Sequence, residues 1–380
     1  MSGAGRERPA PQPYEPGLDD TQPYEWPVPG ARRATRRAPP HARRAAPKRW
    51  PRVMLGIAAV LAVVVVAVLL YEDGVAGTAS RAPTPGRTAI AHGATATPTL
   101  VPFDPGVGAP LPSNRIVAAY GIVGGGPPNG PASSLDMLDA WLPQMQQLGS
   151  QYASLDPTHP VLYGIDLVVN VIQPCADFPQ WCASWADDGT LQAYINYCQQ
   201  HHLLLFFDLQ LGTEPVADAV TNHLLTYLRK YPFTELALDT EFHFPNTPQG
   251  YAEAAGYPCC LGWMDASEIN WAIGELAQIS VQHHLPRKVL IIHQWNPAVI
   301  SNKDQVQRNP NVSLVLQSDG WGGTENKLGD YQLFVQQQLM EYGGYKLFMP
   351  HDGDNQFDIP LQSPQDVMNL FPQPLFVSYQ

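Results

Sequence analysis

The stretch Leu236-Ala237-Leu238-Asp239-Thr240-Glu241-Phe242-His243-Phe244 sets two carboxyl groups one residue apart at the end of an apolar run. Alternation along a strand puts Ala237, Asp239 and Glu241 on one face and Leu236, Leu238 and Thr240 on the other. Two carboxylates crowded together cannot both ionise cheaply, so one pKa rises. A carboxylic acid that keeps its proton near neutral pH is what glycosidic bond cleavage requires as general acid. Glu241 takes that role in this reading, with Asp239, Asp208 and His293 as its catalytic neighbours. The same acidic pair could instead cap the following loop or bind a cation.

Further polar residues stand at or just after the ends of other apolar runs. Tyr120, Asp166, Gln210, Trp295, Gln317, Asp319, His351 and Asp352 are the candidate substrate-binding groups. Asp and Asn at such ends also act as helix caps and turn formers, so about half of these positions are expected to be structural. An inverting glycosidase holds its two carboxyls about 6.5–9.5 Å apart and a retaining one about 5–5.5 Å. Asp208, Asp319 and Asp352 are the possible partners of Glu241. Other chemistries lack their residues. There is no HExxH, no Gly-x-Ser-x-Gly, and Ala118-Ala119-Tyr120 stands where a metal-dependent amidohydrolase barrel has His-x-His. His351, Asp352 and Asp354 could gather a divalent cation with Asp319, but one His on a Gly-containing loop reads as a turn. No metal and no cofactor are expected.

The elements that must position these groups alternate regularly. Strands are predicted at Ile116–Gly121, Val161–Val171, Leu203–Gln210, Glu235–Glu241, Lys288–His293, Val312–Gln317, Tyr345–Pro350 and Leu375–Tyr379. Helices are predicted at Leu135–Leu148, Leu191–His201, Val216–Lys230, Ala266–His283, Leu328–Glu341 and Pro364–Leu370, with a weaker one around Pro297–Gln307. Strands alternating with helices form parallel βαβ units, and eight of them match an α/β fold of the (β/α)8 TIM-barrel type. An open doubly wound sheet would share these local signals, but no GxGxxG loop follows the first strand, and Pro127-Pro128 lack the N–H groups of a phosphate cradle. In a barrel, strand C-termini face the catalytic mouth. The His201-His202 and His283-His284 pairs precede strands and fall on the opposite rim. The chain ends at Gln380 directly after the eighth strand, so the segment before Ile116 is expected to cover that strand.

Charge and composition divide the chain. Residues 1–52 hold 11 Lys+Arg against 5 Asp+Glu, whereas residues 53–380 hold 11 against 29. Because the basic residues lie on a Pro-rich tail and not on the folded part, nucleic acid is not an expected partner. Val53 to Leu70 runs for 18 residues without a charge or a Pro, enough as a helix to span about 27 Å at ~1.5 Å per residue. Residues 53–71 are therefore read as a transmembrane helix. Arg43, Arg44, Lys48, Arg49 and Arg52 before it and Glu72 and Asp73 after it place the N-terminus in the cytoplasm. Residues 1–52 read as a disordered tail, 72–112 as an Ala/Thr/Pro/Gly linker, and 113–380 as a monomeric barrel outside the membrane. Five cysteines in an oxidising compartment favour disulfides. Cys175–Cys182 is expected, with a second link from Cys198 to Cys259 or Cys260.

Leu238-Asp239-Thr240-Glu241 resembles the Asp-x-Glu strand end of chitinase-like and lysozyme-like barrel glycosidases, although the position two before the Asp, acidic in the chitinase-like motif, is Ala237. Over most of residues 113–380 the chain is similar to a family of uncharacterised exported bacterial proteins. The resemblance is carried by Leu236 to Phe242, by Lys288-Val289-Leu290-Ile291-Ile292-His293-Gln294 and by Tyr331-Gln332-Leu333-Phe334-Val335. It implies a single exported barrel and no particular reaction. Two functions remain from the sequence: a glycan-cleaving enzyme of the cell envelope, or a non-catalytic barrel that binds polysaccharide or protein.

Overall fold

The computed structural model describes residues 110–126, 129–244, 262–338, 340–350 and 357–380. The tail, the Val53–Leu70 run, the linker, Cys259, Cys260, His351 and Asp352 lie outside the described residues. Among the described residues, no helix is long and apolar enough to cross a membrane.

Eight parallel strands close into a barrel. They are β1 (Arg115–Ile122), β2 (Val161–Ile172), β3 (Leu204–Leu209), β4 (Thr234–Leu238), β5 (Lys288–Gln294), β6 (Val312–Ser318), β7 (Tyr342–Leu347) and β8 (Phe376–Tyr379). Each pairs in parallel with its neighbours in chain order, and β8 returns to β1 through Ile116 opposite Phe376, which leaves no open edge in the ring. Leu, Ile, Val and Phe fill these strands because both faces are buried, one inside the ring and one beneath helices.

The outer helices are α1 (Leu135–Leu155), α2 (Asp188–His201), α3, α4 (Ala266–Gln282), α5 (Thr324–Asp330) and α6 (Pro364–Met368). Helix α3 runs in three pieces, Val216–Ala219, a π-helical turn Val220–Leu224, and Leu225–Lys230. A second π-helical turn, Tyr331–Gln336, continues α5. The side chains of Ser134, Asp187, Asp265 and Ser363 cap α1, α2, α4 and α6 by accepting from first-turn N–H groups.

Two expectations change. The segment around Pro297–Gln307 forms two 3₁₀ turns about a two-residue strand, Ile300–Ser301, which pairs with Met264–Asp265. Pro297 and the Asn296 side chain, which accepts from Ala298 N–H, favour a tight turn there over a long helix. The fourth strand stops at Leu238, three residues early. On the outer face of β8, α1 makes contact through Tyr379: the Tyr152 and Tyr379 hydroxyls lie 2.9 Å apart and Trp141 packs against the Tyr379 ring. Leu111, from the segment before Ile116, is also fully buried in this core.

Cys175 and Cys182 form a disulfide, as expected. Cys198 is a free thiol on the buried face of α2, not a partner in a second bridge. A three-residue strand, Ala183–Trp185, follows the disulfide loop and pairs antiparallel with the end of β2.

Candidate acidic site in the barrel mouth

The pleat decides which side chains enter the ring. Asp208 lies opposite Ala237, Tyr120 opposite Asp166, and His293 opposite Gln317, so residues two apart on each strand share the interior. Phe206 of β3 and Phe376 of β8 meet edge to face at 5.2 Å across the ring, two residues below Asp208 and Ser378. Gly344 leaves room at this level, since a Cβ there would come within 2.8 Å of Val315 Cγ1. The polar groups above therefore rest on an apolar floor.

His293 is the hub. Its Nδ1 lies 2.8 Å from Asp319 Oδ2, and its Nε2 lies 3.7 Å from Asp208 Oδ2 and 3.8 Å from Asp166 Oδ2. Lys346, on β7, places its ammonium 3.0 Å from Asp319 Oδ1 and 3.5 Å from the centre of the Tyr120 ring. Gln210 donates to Asp239 Oδ2 at 3.2 Å, and Gln317 donates to Ser378 Oγ at 2.6 Å. All of these residues are buried. The fully enclosed carboxylate oxygens of Asp166 and Asp208, Asp239 Oδ1 and His293 Nε2 make no hydrogen bond.

Burial dominates the electrostatics. It pushes Asp166 up to about 6 and Asp208 and Asp239 up to about 7, with His293 and Lys346 pulling the other way and neighbouring carboxylates adding to the rise. Burial would lower His293, but Asp208, Asp319 and Asp166 outweigh it and raise the imidazole to about 10. Asp319 resists its own burial because Lys346 and His293 hold it below the usual carboxylate range.

Glu241 is placed differently from the alternation expected for it. After Leu238 the backbone leaves the strand at Asp239 and enters a 3₁₀ turn, Thr240–Phe242. Thr240 anchors that turn by donating its hydroxyl to the His293 carbonyl at 2.7 Å, and Gly262 N–H donates to the Glu241 carbonyl at 2.7 Å. Glu241 thus crowns the acidic cluster, partly exposed where the four Asp residues are buried. Burial of its carboxyl, then Asp239 and Asp319, raise its pKa well above the ordinary value; Lys346 and the Trp295 indole act in the opposite sense.

Asp166, Asp208, Asp239, Glu241, His293 and Asp319, with Tyr120, are therefore brought together as one cluster, with Gln210 beside Asp239. Gln317 is turned toward β8. Beside the cluster, the Trp185 indole N–H donates to Glu214 Oε2 at 2.9 Å and its ring stacks on His223 at 4.1 Å. Asn170 donates to the same oxygen at 3.3 Å. Lys346 and Glu214 are functional candidates that sequence reasoning passed over. A lysine inside the apolar run Tyr345-Lys346-Leu347 was the available signal for the first. A hollow on the flank of the barrel, lined by Lys303, Arg308, Gln338 and Met340, shares no residue with the cluster.

The site and fold define a closed eight-stranded parallel α/β barrel with an acid-rich interior below its mouth. Compared with family models, curated proteins and solved structures, the chain matches none.

Proposed function

We propose that this protein is a barrel hydrolase that cleaves glycans, with Glu241 as the proton donor. The observation that carries the reading is Glu241, a partly exposed residue on the rim whose carboxyl is pushed toward its protonated form by burial and by Asp239, above a buried cluster of Asp residues. A protonated rim carboxyl can reach a leaving-group oxygen, whereas the buried Asp residues stabilise positive charge that develops at the sugar carbon. Its location is proposed to be the outer face of a membrane, anchored through residues 53–71; the Cys175–Cys182 disulfide supports an oxidising compartment.

The test is hydrolysis of a panel of envelope polysaccharides and peptidoglycan by the full-length chain. Glu241→Gln keeps size and hydrogen bonding and should lower the rate by roughly 10²–10⁴-fold with little change in melting temperature. Because the acid form is the active form, activity should fall as pH rises through the raised pKa of Glu241. A wild-type rate no greater than that of Glu241→Gln on every substrate would sink the proposal. One observation favours a non-catalytic binding barrel as the second reading: Asp166, Asp208, Asp239 and Asp319 are all buried, so none of them offers an open carboxylate as base or nucleophile. Equal glycan binding with and without Glu241, and no cleavage, would support it.

A further inference from the structure

We infer that Asp166, Asp208 and His293 form a binding site for one divalent transition-metal ion, such as Zn²⁺ or Mn²⁺, inside the barrel. Three side chains from β2, β3 and β5 present ligand atoms that all lie within 4.8 Å of one another. His293 Nε2 faces Asp208 Oδ2 at 3.7 Å and Asp166 Oδ2 at 3.8 Å, too far for hydrogen bonds. Ligands bound at ~2.1 Å in a tetrahedral shell stand ~3.4 Å apart, so the two gaps to Nε2 need only a few tenths of an ångström of closure, and the two carboxylate oxygens lie within 4.8 Å of each other.

Two further observations point to a cation rather than to a structural acid cluster. The first is that His293 Nε2, which is not an acidic group, is buried, makes no hydrogen bond and is aimed at both carboxylates. Protons shared between the carboxyl groups would leave hydrogen bonds, and no hydrogen bond reaches any of the four oxygens of Asp166 and Asp208. The second is the Nδ1 contact to Asp319 at 2.8 Å. A carboxylate that accepts a hydrogen bond from Nδ1–H fixes the tautomer and turns the Nε2 lone pair toward the ion, the arrangement seen around histidine metal ligands generally. The mixed oxygen and nitrogen set favours a transition ion over Ca²⁺ or Mg²⁺, which prefer oxygen alone.

This inference does not depend on glycan cleavage, and it is tested without substrate. The full-length chain, solubilised in detergent and stripped with a chelator, is dialysed against Mn²⁺ or Zn²⁺, and bound metal is measured by elemental analysis. One ion per chain is expected. Asp166→Asn and Asp208→Asn should each weaken uptake by at least roughly tenfold, and Asp319→Asn by about 10- to 100-fold through the imidazole it orients. Circular dichroism checks the fold of each variant; if an Asn variant is misfolded, His293→Gln replaces it. The proposal is overturned by a wild-type chain that takes up no ion, or by uptake that is unchanged in the folded variants, which would place the ion elsewhere.

Discussion

Glu235 lies near the N-terminal end of β4, buried, where its Oε2 accepts from the Val289 N–H at 2.7 Å. Burial pushes its carboxyl up to about 7, while Lys288 and the Val289 N–H pull it down. A folded-state pKa above the unfolded one means that the folded chain binds the proton more tightly. The resulting stability is fully present below the usual glutamate range and is lost as pH rises through about 7. Glu235→Gln keeps an acceptor for Val289 but cannot ionise. Relative to wild type it should therefore gain stability between pH 5 and pH 8, on the order of 1–3 kcal/mol, read from unfolding curves at the two pH values. A difference that does not change with pH would refute this. The same physics made part of the mouth legible in advance: two carboxyls at Asp239 and Glu241 imply a raised pKa wherever they meet. The apolar run around Lys346 marks the lysine as unusual, but its role was not legible, because nothing in its own strand says that Asp residues from other strands lie around it.

At the scale of elements, the turn that carries Glu241 shows how the backbone sets the site. Gly262 packs on it so closely that a Cβ would come within 2.2 Å of the His243 carbonyl oxygen and 2.6 Å of that of Glu241. Gly274, inside α4, has nothing within 4 Å of its Cβ position. Gly262→Ala should lower stability by about 1–3 kcal/mol through overpacking. Gly274→Ala should raise it by about 0.5–1 kcal/mol because alanine loses less freedom in a helix. Opposite shifts in melting temperature check both; equal shifts would mean that the turn gives way freely. Strands and most helices could be read from period and apolar content. The end of β4 could not, because Thr240 leaves the strand to bond the His293 carbonyl, a contact 53 residues away in sequence.

For the whole molecule, the proposed arrangement puts the barrel outside the membrane, beyond residues 53–71. Protease added to intact protoplasts should then remove residues beyond the linker and spare the N-terminal tail, and full protection of the barrel would overturn that topology. The basic tail and the uncharged 18-residue run are local properties, written in composition, and they carry the topological expectation by themselves. Strand and helix order is nearly as local, and the Cys175–Cys182 pair is close enough in sequence to be foreseen. Closure of the sheet was decided by tertiary structure, since an open sheet and a ring share every strand and differ only in whether β8 pairs with β1. Tertiary structure also decided that Tyr152 of α1 would meet Tyr379 of β8. It alone converged Asp166, Asp208 and Asp319 on His293 and set Lys346 against Asp319, because neighbours inside the ring are set by register between strands, not by distance along the chain.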